Sequence, residues 1–341
     1  MDIDFVITWV DNEDPQWQAA FHQWLPANTS NIDDSEPRYR DWHLLRYWFR
    51  GVEQFAPWVR RIHFVTNGQL PSWLNTQHPK LHLVKHSDIM PPESLPTFNS
   101  NAIEMCLDKI EGLSEDFIYF NDDVFLVGNV GQDYFFRNGQ PCDVAVTWWR
   151  GQQGNDMMNH IVSNNVNVIN SRFDKYATLF RHFSKWFWTG YGWHQLRGNI
   201  QSLLNPQFAS FLDPHSALAL QKHTIGEVRR FCPGIMEATT RQRFRSTSDI
   251  SPWLFRYWRL CKGEFTKAWQ IPERHYYFHV EQQLDDLSTD LTDEKIKIVV
   301  LNDSSAYQDF VRLIADIKHR FEQLLPKPSL FECTEKHDKD F

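Results

Sequence analysis

The chain has 341 residues, enough for one large α/β domain or for a core that carries a sizeable insert. Hydrophobic residues make up 42% and charged residues 23%, which is the balance of a globular protein and excludes a disordered one. The net charge of -8 leaves no broad basic surface, so nonspecific binding of nucleic acid is not expected. The 15 tryptophans are expected to be mainly core and loop anchors, with sugar stacking or membrane contact as the alternative.

The cysteines and the N-terminus favour a cytoplasmic protein. The five cysteines are far apart in the sequence and lack the spacing of zinc ligands, which favours reduced thiols. The acidic start at residues 1–4 does not resemble a signal peptide, and no apolar run is long enough to span a bilayer. We therefore expect a cytoplasmic location, with peripheral contact at the inner face of the membrane as an option.

Apolar runs alternate with amphipathic segments in the N-terminal half, which predicts strands separated by helices. The predicted elements are a strand at 5–10, a helix from about Asp41 to Pro57, strands at 62–66 and 81–84, a helix capped by Asn99 or Ser100, and a strand at 117–120. This order indicates an α/β fold with a Rossmann-like, mostly parallel sheet that is covered on both faces.

The alternation is lost over residues 151–212, which are rich in Asn, aromatic and basic residues. We interpret this segment as a helical, aromatic-rich insert or lid between an N-terminal part of the core at 1–150 and a C-terminal part at 213–341. Its densest aromatic and basic run, residues 181–188, suits a membrane surface or a glycan, although packing against the core is favoured. After the insert, a strand at 297–301 and a periodic helix from Phe310 complete the pattern.

Polar side chains follow the predicted strands where their carboxyl ends meet, which is where open α/β sheets bind ligands. They are Asp11, Asn67, Asp88 and the adjacent pair Asp122 and Asp123. Turn formation explains any one of them, but the set and the adjacent pair favour a site. Two neighbouring carboxylates suit a hard divalent cation such as Mg²⁺ or Mn²⁺, which bridges diphosphate oxygens.

Two further groups of residues suit anion chemistry. Arg241, Arg243 and Arg245 alternate, so an extended backbone would point all three guanidinium groups one way, toward phosphate; a solvated charged stripe is the alternative. His215 follows Asp213-Pro214 on a predicted loop and suits a general base or a phosphate-binding donor. The lack of a glycine-rich phosphate loop and of a Gly-x-Ser-x-Gly motif weakens kinase, NAD and hydrolase interpretations.

Four ordered motifs extend over nearly the whole chain. They are DIDFVITWVD at 2–11; segments at 38–41, 56–60, 71–74, 86–89, 95–100 and FIYFNDD at 117–123; segments at 213–222, 243–246 and 249–250; and segments at 301–304 and 328–332. Together they resemble the Stealth family, which includes bacterial capsular polysaccharide phosphotransferases and the catalytic subunit of the lysosomal-enzyme N-acetylglucosamine-1-phosphotransferase.

The resemblance implies transfer of a hexose 1-phosphate, with N-acetylglucosamine 1-phosphate from UDP-GlcNAc as the expected group, in capsule or exopolysaccharide synthesis. It implies Mg²⁺ or Mn²⁺, release of UMP, a nucleotide-sugar donor and a glycan or lipid-linked glycan acceptor. The residues it indicates are Asp11, Asn99, Asp122, Asp123, His215, Arg243, Arg245 and Asp303. We expect His215, Asp122, Asp123, Arg243, Arg245 and Asp303 to be catalytic, with metal ligands among Asp122, Asp123 and Asp303, and substrate contacts from Asp11, Asn99, Ser100 and Asn302.

Two other functions compete with this one. A metal-dependent glycosyltransferase would use the same donor but attack the anomeric carbon and release UDP, and a Rossmann-like sheet with paired carboxylates serves both reactions. A noncatalytic carbohydrate-binding module would use the aromatic insert, but it has no evident need for both acidic and arginine clusters. The sequence leaves open the donor sugar, the acceptor, the general base and the oligomeric state.

Overall fold

The computed structural model describes residues 1–27, 29, 32, 39–149, 156–268, 273–277, 282–302 and 310–333. Its strands are β1 (Ile3–Thr8), β2 (Ile62–Thr66), β3 (Leu81–Lys85), β4 (Asp116–Phe120), β5 (Val124–Leu126), β6 (Phe136–Arg137), β7 (Gln140–Asp143), β8 (Thr147–Trp148), β9 (Ser210–Phe211), β10 (Leu218–Gln221), β11 (Thr266–Lys267), β12 (Glu273–Tyr277) and β13 (Ile298–Asn302). Its helices are α1 (Pro15–Trp24), α2 (Leu45–Phe55), α3 (His86–Ile89), α4 (Ser100–Glu104), α5 (Gln132–Phe135), α6 (Met157–Arg172), α7 (Lys175–Arg181), α8 (Phe183–Trp186), α9 (Trp193–Ser202), α10 (Lys222–Phe231), α11 (Pro233–Arg241), α12 (Trp253–Lys262), α13 (Gln282–Thr292) and α14 (Phe310–Leu324).

The central sheet has the strand order β10-β4-β1-β2-β3. Strands β4, β1, β2 and β3 are parallel, and β10 joins the β4 edge in the antiparallel direction. The parallel part therefore has the order 3-2-1-4 of a Rossmann-like sheet. The predicted α/β class and mostly parallel sheet are confirmed.

Both faces of this sheet are covered. Successive side chains of a strand point to opposite faces, so one strand contributes to the core on each side. Phe5 and Ile7 of β1 belong to a core shared with α2, α13 and α14. Val6, between them, belongs to a second core that is shared with α4, α6, α10, α11 and α12. The continuous apolar run of β1 is thus explained by burial on both sides.

The predicted start of the second helix is wrong by three residues. Leu44, not Asp41, occupies the N-terminal cap position of α2, and no side chain caps this helix. His43 has a φ of 55°, in the left-handed region, so the helix cannot extend back through it. The Asp41 carboxylate instead accepts a hydrogen bond from the His43 N–H at 2.9 Å.

A second, three-stranded sheet has the order β12-β13-β5 and holds the strand predicted near 297–301. Strand β5 begins immediately after Asp123, and the Leu301 N–H of β13 donates to the Asp123 carbonyl at 2.9 Å. The chain therefore leaves the central sheet at Asp122 and Asp123 and enters the second one. This transition places both carboxylates at the boundary of the two sheets.

Helices α6 to α9 occupy the segment that was predicted to be helical. Trp186 of its aromatic run is fully buried, with its ring 6.1 Å from that of Phe208 and 6.3 Å from that of Phe211. The packing interpretation is confirmed for Trp186, which cannot reach a glycan or a membrane.

Candidate active site at the β1–β4 crevice

A cleft of about 760 Å³ opens at the carboxyl ends of β1 and β4. At this point the strand order reverses, which is where open α/β sheets bind ligands. Thr8 and Tyr119 join the two strands there through a 3.0 Å hydrogen bond between their hydroxyl groups. The fold therefore provides a ligand-sized cavity at the site that the sequence indicated.

Asp122 and Asp123 lie in this cleft, on the turn that follows β4. Oδ2 of Asp123 is 3.0 Å from Nε2 of His215, which reaches the cleft from the segment before β10. Oδ1 of Asp123 is buried and has no hydrogen-bond partner within the part of the chain that the structure describes. A carboxylate with one oxygen on a histidine and the other oxygen unbonded can orient that histidine and still accept a cation.

The electrostatics of the cleft favour a bound cation. Asp122 is exposed to the cleft, and loss of hydration there, with the charges of Asp123 and Asp41, raises the pKa of Asp122 to about 8. Burial lowers the pKa of His215, but its hydrogen bond to Asp123 and that carboxylate's charge outweigh burial and raise it. The cleft thus concentrates negative charge that a divalent cation would neutralise.

A complete metal site is not formed by the described residues. Within the residues that the structure describes, no three His, Cys, Asp or Glu side chains are grouped as one ion would require. Asp303, the third predicted ligand, lies outside the described residues. Asp122 and Asp123 fit the oxygen chemistry of Mg²⁺ or Mn²⁺, and they are two of the ligands such an ion needs.

The three alternate arginines do not point one way, so the expected common cluster is wrong. Arg241 ends helix α11 and pairs with Glu237 at 2.5 Å. The backbone bends at residues 243–244, which breaks the two-residue period of an extended segment. Of the three, Arg245 lines the cleft.

Arg243 and Arg245 therefore have different surroundings. The Arg245 guanidinium donates to Oγ of Ser100 at 2.6 Å, and both side chains line the cleft. The Arg243 guanidinium donates to two backbone carbonyls at 3.1 Å, those of Glu93 and Leu95, and lies 4.0 Å from the ring centre of Trp24. Arg243 is not among the residues that line the cleft.

Asn99 does not fit its predicted contact with the substrate, because its side chain is fully buried. Its carbonyl oxygen caps α4 by accepting from the Asn101 N–H at 3.1 Å, as the sequence predicted for a cap. Its amide donates to the Asp249 carboxylate at 2.8 Å, and Asp249 also accepts from the Ser246 N–H at 3.0 Å. Asn99 therefore holds the segment that carries Arg245 and does not face the cleft.

The other predicted rim residues divide between turn and site. Asp11 accepts from the Glu13 N–H at 2.9 Å and is not a lining residue, although its neighbours Trp9 and Val10 are. Asn302 lines the cleft at the end of β13. Asn67 and Asp88 accept backbone N–H groups within their own turns, so the turn interpretation holds for them.

Sequence reasoning missed two contributors. Asp41 lines the cleft and its charge acts on Asp122. Arg256 lies behind the His215 segment: it donates to the Leu212 carbonyl at 2.6 Å and to Asp143 at 2.7 Å. A buried cation needs a buried partner, so an arginine within the apolar run of α12 indicates a buried ion pair.

The family models Stealth protein CR1, conserved region 1, and Stealth protein CR2, conserved region 2, match residues 1–29 and 38–143. The capsular polysaccharide phosphotransferase WcwK of Streptococcus pneumoniae is 38% identical, with 97% of this chain and 98% of that protein covered. The chain belongs to the Stealth family.

Two further Stealth relatives match over nearly their whole length. The exopolysaccharide phosphotransferase cps2G of Lactiplantibacillus plantarum is 34% identical, with 97% of this chain and 96% of that protein covered. The receptor polysaccharide phosphotransferase WefC of Streptococcus oralis is 35% identical, with 97% and 99% covered. Like these relatives, the chain is a phosphotransferase.

Among solved structures, the bifunctional glycosyltransferase WbbM matches 96% of this chain and 52% of its own, at a TM-score of 0.37 and 11% identity. Within the described ranges, every helix is too short or too polar to cross a membrane.

Proposed function

We propose that this Stealth protein transfers a sugar 1-phosphate from a nucleotide-activated sugar to a glycan hydroxyl during capsular or exopolysaccharide synthesis. The names of the relatives support the reaction class and the polymer. One observation carries the proposal at the level of residues: the bonded pair Asp123 and His215 shares a cleft with Asp122 and Arg245. A base, a cation site and a guanidinium are the groups that phosphoryl transfer uses.

Each of these groups has a proposed role. Neutral His215 accepts the proton of the acceptor hydroxyl, and Asp123 orients its imidazole and stabilises the imidazolium that forms. Arg245 donates to the oxygens of the transferred phosphoryl group, with Ser100 holding its guanidinium in place. Asn302 borders the same cleft and is proposed to contact the substrate.

Asp122 and Asp123 would hold Mg²⁺ or Mn²⁺, with Asp303 as the proposed third ligand. The cation would neutralise diphosphate charge and polarise the phosphorus that is attacked. Arg243 acts through its contacts with backbone carbonyls and Trp24, by holding the segment that leads to Arg245. We propose UDP-GlcNAc as the donor and UMP as the nucleotide product.

The nucleotide product tests the proposal. Purified protein is incubated with Mn²⁺, acceptor glycan and a panel of nucleotide sugars, and the products are separated by anion-exchange chromatography. Attack at phosphorus releases a nucleoside monophosphate and leaves a phosphodiester in the glycan, whereas attack at the anomeric carbon releases a diphosphate. UDP with a plain glycosidic product, from preparations free of phosphatase, would overturn the proposal in favour of a glycosyltransferase.

Carboxylate variants assign the activity to the cleft. Asp122→Asn and Asp123→Asn should each lower kcat by roughly 10²-fold or more, because each removes a proposed cation ligand. Asp88→Asn is the matched control, since Asp88 also follows a strand of the central sheet but caps its own turn. Near-normal turnover in both cleft variants, or an equal loss in the control, would contradict the assignment.

A further inference from the structure

Helix α9 is oriented opposite to the usual arrangement of a surface helix. Its exposed residues are Trp193 (72% exposed), His194, Arg197 and Ile200 (47%), and Leu204 (79%) continues this side two positions beyond its end. The buried residues of the same helix are small or polar: Gly198, Asn199 and Ser202. A helix of a globular protein normally buries its apolar side, so α9 leaves a large apolar surface unpartnered.

Hydrogen bonds and close backbone approach hold α9 in this orientation. The Asn199 amide donates to the carbonyls of Ala145 and Trp186 at 2.8 and 2.5 Å, and its oxygen accepts from the Thr147 N–H at 2.7 Å. A Cβ atom at Gly198 would lie 2.3 Å from the Trp148 ring. Glycine at this position therefore allows this side of the helix to pack closely against β8. Because these contacts hold the buried side of α9 against the protein, its apolar side faces outward.

The two helices before α9 also carry exposed apolar residues. The Tyr176 hydroxyl of α7 donates to the Leu203 carbonyl at 2.9 Å, which ties α7 to the end of α9. Phe180 on α7 is 60% exposed and Phe183 at the start of α8 is 54% exposed. Large exposed apolar side chains are therefore concentrated in the three consecutive helices α7, α8 and α9.

The charge of this segment indicates what covers it. No acidic residue occurs between Asp174 and Asp213, although the whole chain has a net charge of -8. Arg181 and Arg197 are exposed there. Exposed indole, phenyl and aliphatic groups beside arginines, without carboxylates, complement a surface that is apolar below and anionic above.

We propose that α7, α8 and α9 bind the interfacial region of an anionic lipid bilayer, with the apolar residues of α9 inserted among the headgroups. Tryptophan is suited to this depth, because its ring is apolar and its N–H is polar. Arginines at the same level bind anionic headgroups and offset the repulsion between the acidic protein and the membrane. A second copy of this chain would instead leave like-charged arginines facing each other.

Vesicle binding tests this proposal with the full chain. Binding to sucrose-loaded vesicles of phosphatidylcholine with about 30 mol% phosphatidylglycerol is measured by sedimentation and compared with pure phosphatidylcholine. The triple variant Trp193→Ser, Ile200→Ser, Leu204→Ser should bind the anionic vesicles at least roughly tenfold more weakly than wild type. The matched control is Val311→Ser with Leu330→Ser, because these residues are 80% and 70% exposed elsewhere on the surface.

Arg197→Glu separates the charge from the apolar contact. It should weaken binding to anionic vesicles roughly tenfold and change binding to neutral vesicles little. Failure of the wild type to bind anionic vesicles, or an equal loss in the control variant, would overturn the proposal. Light scattering detects the competing occupant: a wild-type dimer that the triple variant dissociates, without vesicle binding, would assign this surface to a second copy.

Discussion

Replacing Asn99 with alanine distinguishes a residue that binds substrate from one that holds the site together. The side chain is fully buried, and its amide donates to the Asp249 carboxylate at 2.8 Å. A hydrogen bond to a charged group contributes about 2 kcal/mol, and loss of a helix cap costs about 1 kcal/mol. We therefore expect Asn99→Ala to lower the free energy of unfolding by about 3 kcal/mol, which in a chain of this size lowers Tm by roughly 4 °C.

Thermal unfolding by circular dichroism measures this loss, and donor KM measures any contact with the substrate. Ser100→Ala is the control: Ser100 is adjacent in sequence, lines the cleft and accepts one hydrogen bond from Arg245. It should change Tm little and lower kcat, because the guanidinium loses its partner. An Asn99→Ala variant with an unchanged Tm and a donor KM raised roughly tenfold or more would refute the structural role.

Three further outcomes are expected. Burial raises the pKa of Asp4, but hydrogen bonds from His63 and Arg60 outweigh it and lower the pKa from 3.8 to about 2. Asp4 therefore stabilises the fold above pH 3.8 and loses this effect as the pH falls toward 2. In urea titrations, Asp4→Asn should lower the free energy of unfolding by about 2 kcal/mol at neutral pH and make it depend less on pH in the acid range. Trp186→Ala should cost about 3–5 kcal/mol in the same titrations, because it empties a fully buried site; a loss below about 1 kcal/mol would contradict its core position. Calorimetric Mn²⁺ affinity should rise about tenfold per pH unit until the pH reaches about 8, since Asp122 must lose its proton to bind a cation, and a pH-independent affinity would exclude it as a ligand.

The central sheet was predictable because its strands are apolar runs that are buried on both faces. Residues 62–66 form β2 as predicted, and 81–84 and 117–120 differ from β3 and β4 by one residue. Strand β10 was not predicted, since Leu-Ala-Leu-Gln has no preference that separates a strand from a helix. Its pairing with β4 decides its conformation, and that contact joins residues about a hundred positions apart.

The site was predictable where its residues are neighbours in the chain. Asp122 and Asp123 follow one apolar strand, so a local pattern locates both at the end of the sheet. Asp41 reaches the cleft, and Arg256 holds the segment behind it, through contacts between distant segments, which no local pattern records. For Asn99, a motif marks the position but cannot distinguish a side chain that binds substrate from one that is buried behind the site.

The charges in the cleft link the binding of a cation to the binding of the donor. The cleft is lined by the carboxylates of Asp41, Glu104, Asp122, Asp123 and Asp213 and by two arginines, Arg40 and Arg245, so carboxylates outnumber guanidinium groups where a diphosphate would lie. A diphosphate that entered alone would be repelled by the same carboxylates that raise the pKa of Asp122. A divalent cation removes both effects, because it neutralises the carboxylates and attracts the phosphate oxygens. Donor and cation should therefore strengthen each other's binding, and each carboxylate that looks unfavourable in the free protein contributes to this coupling.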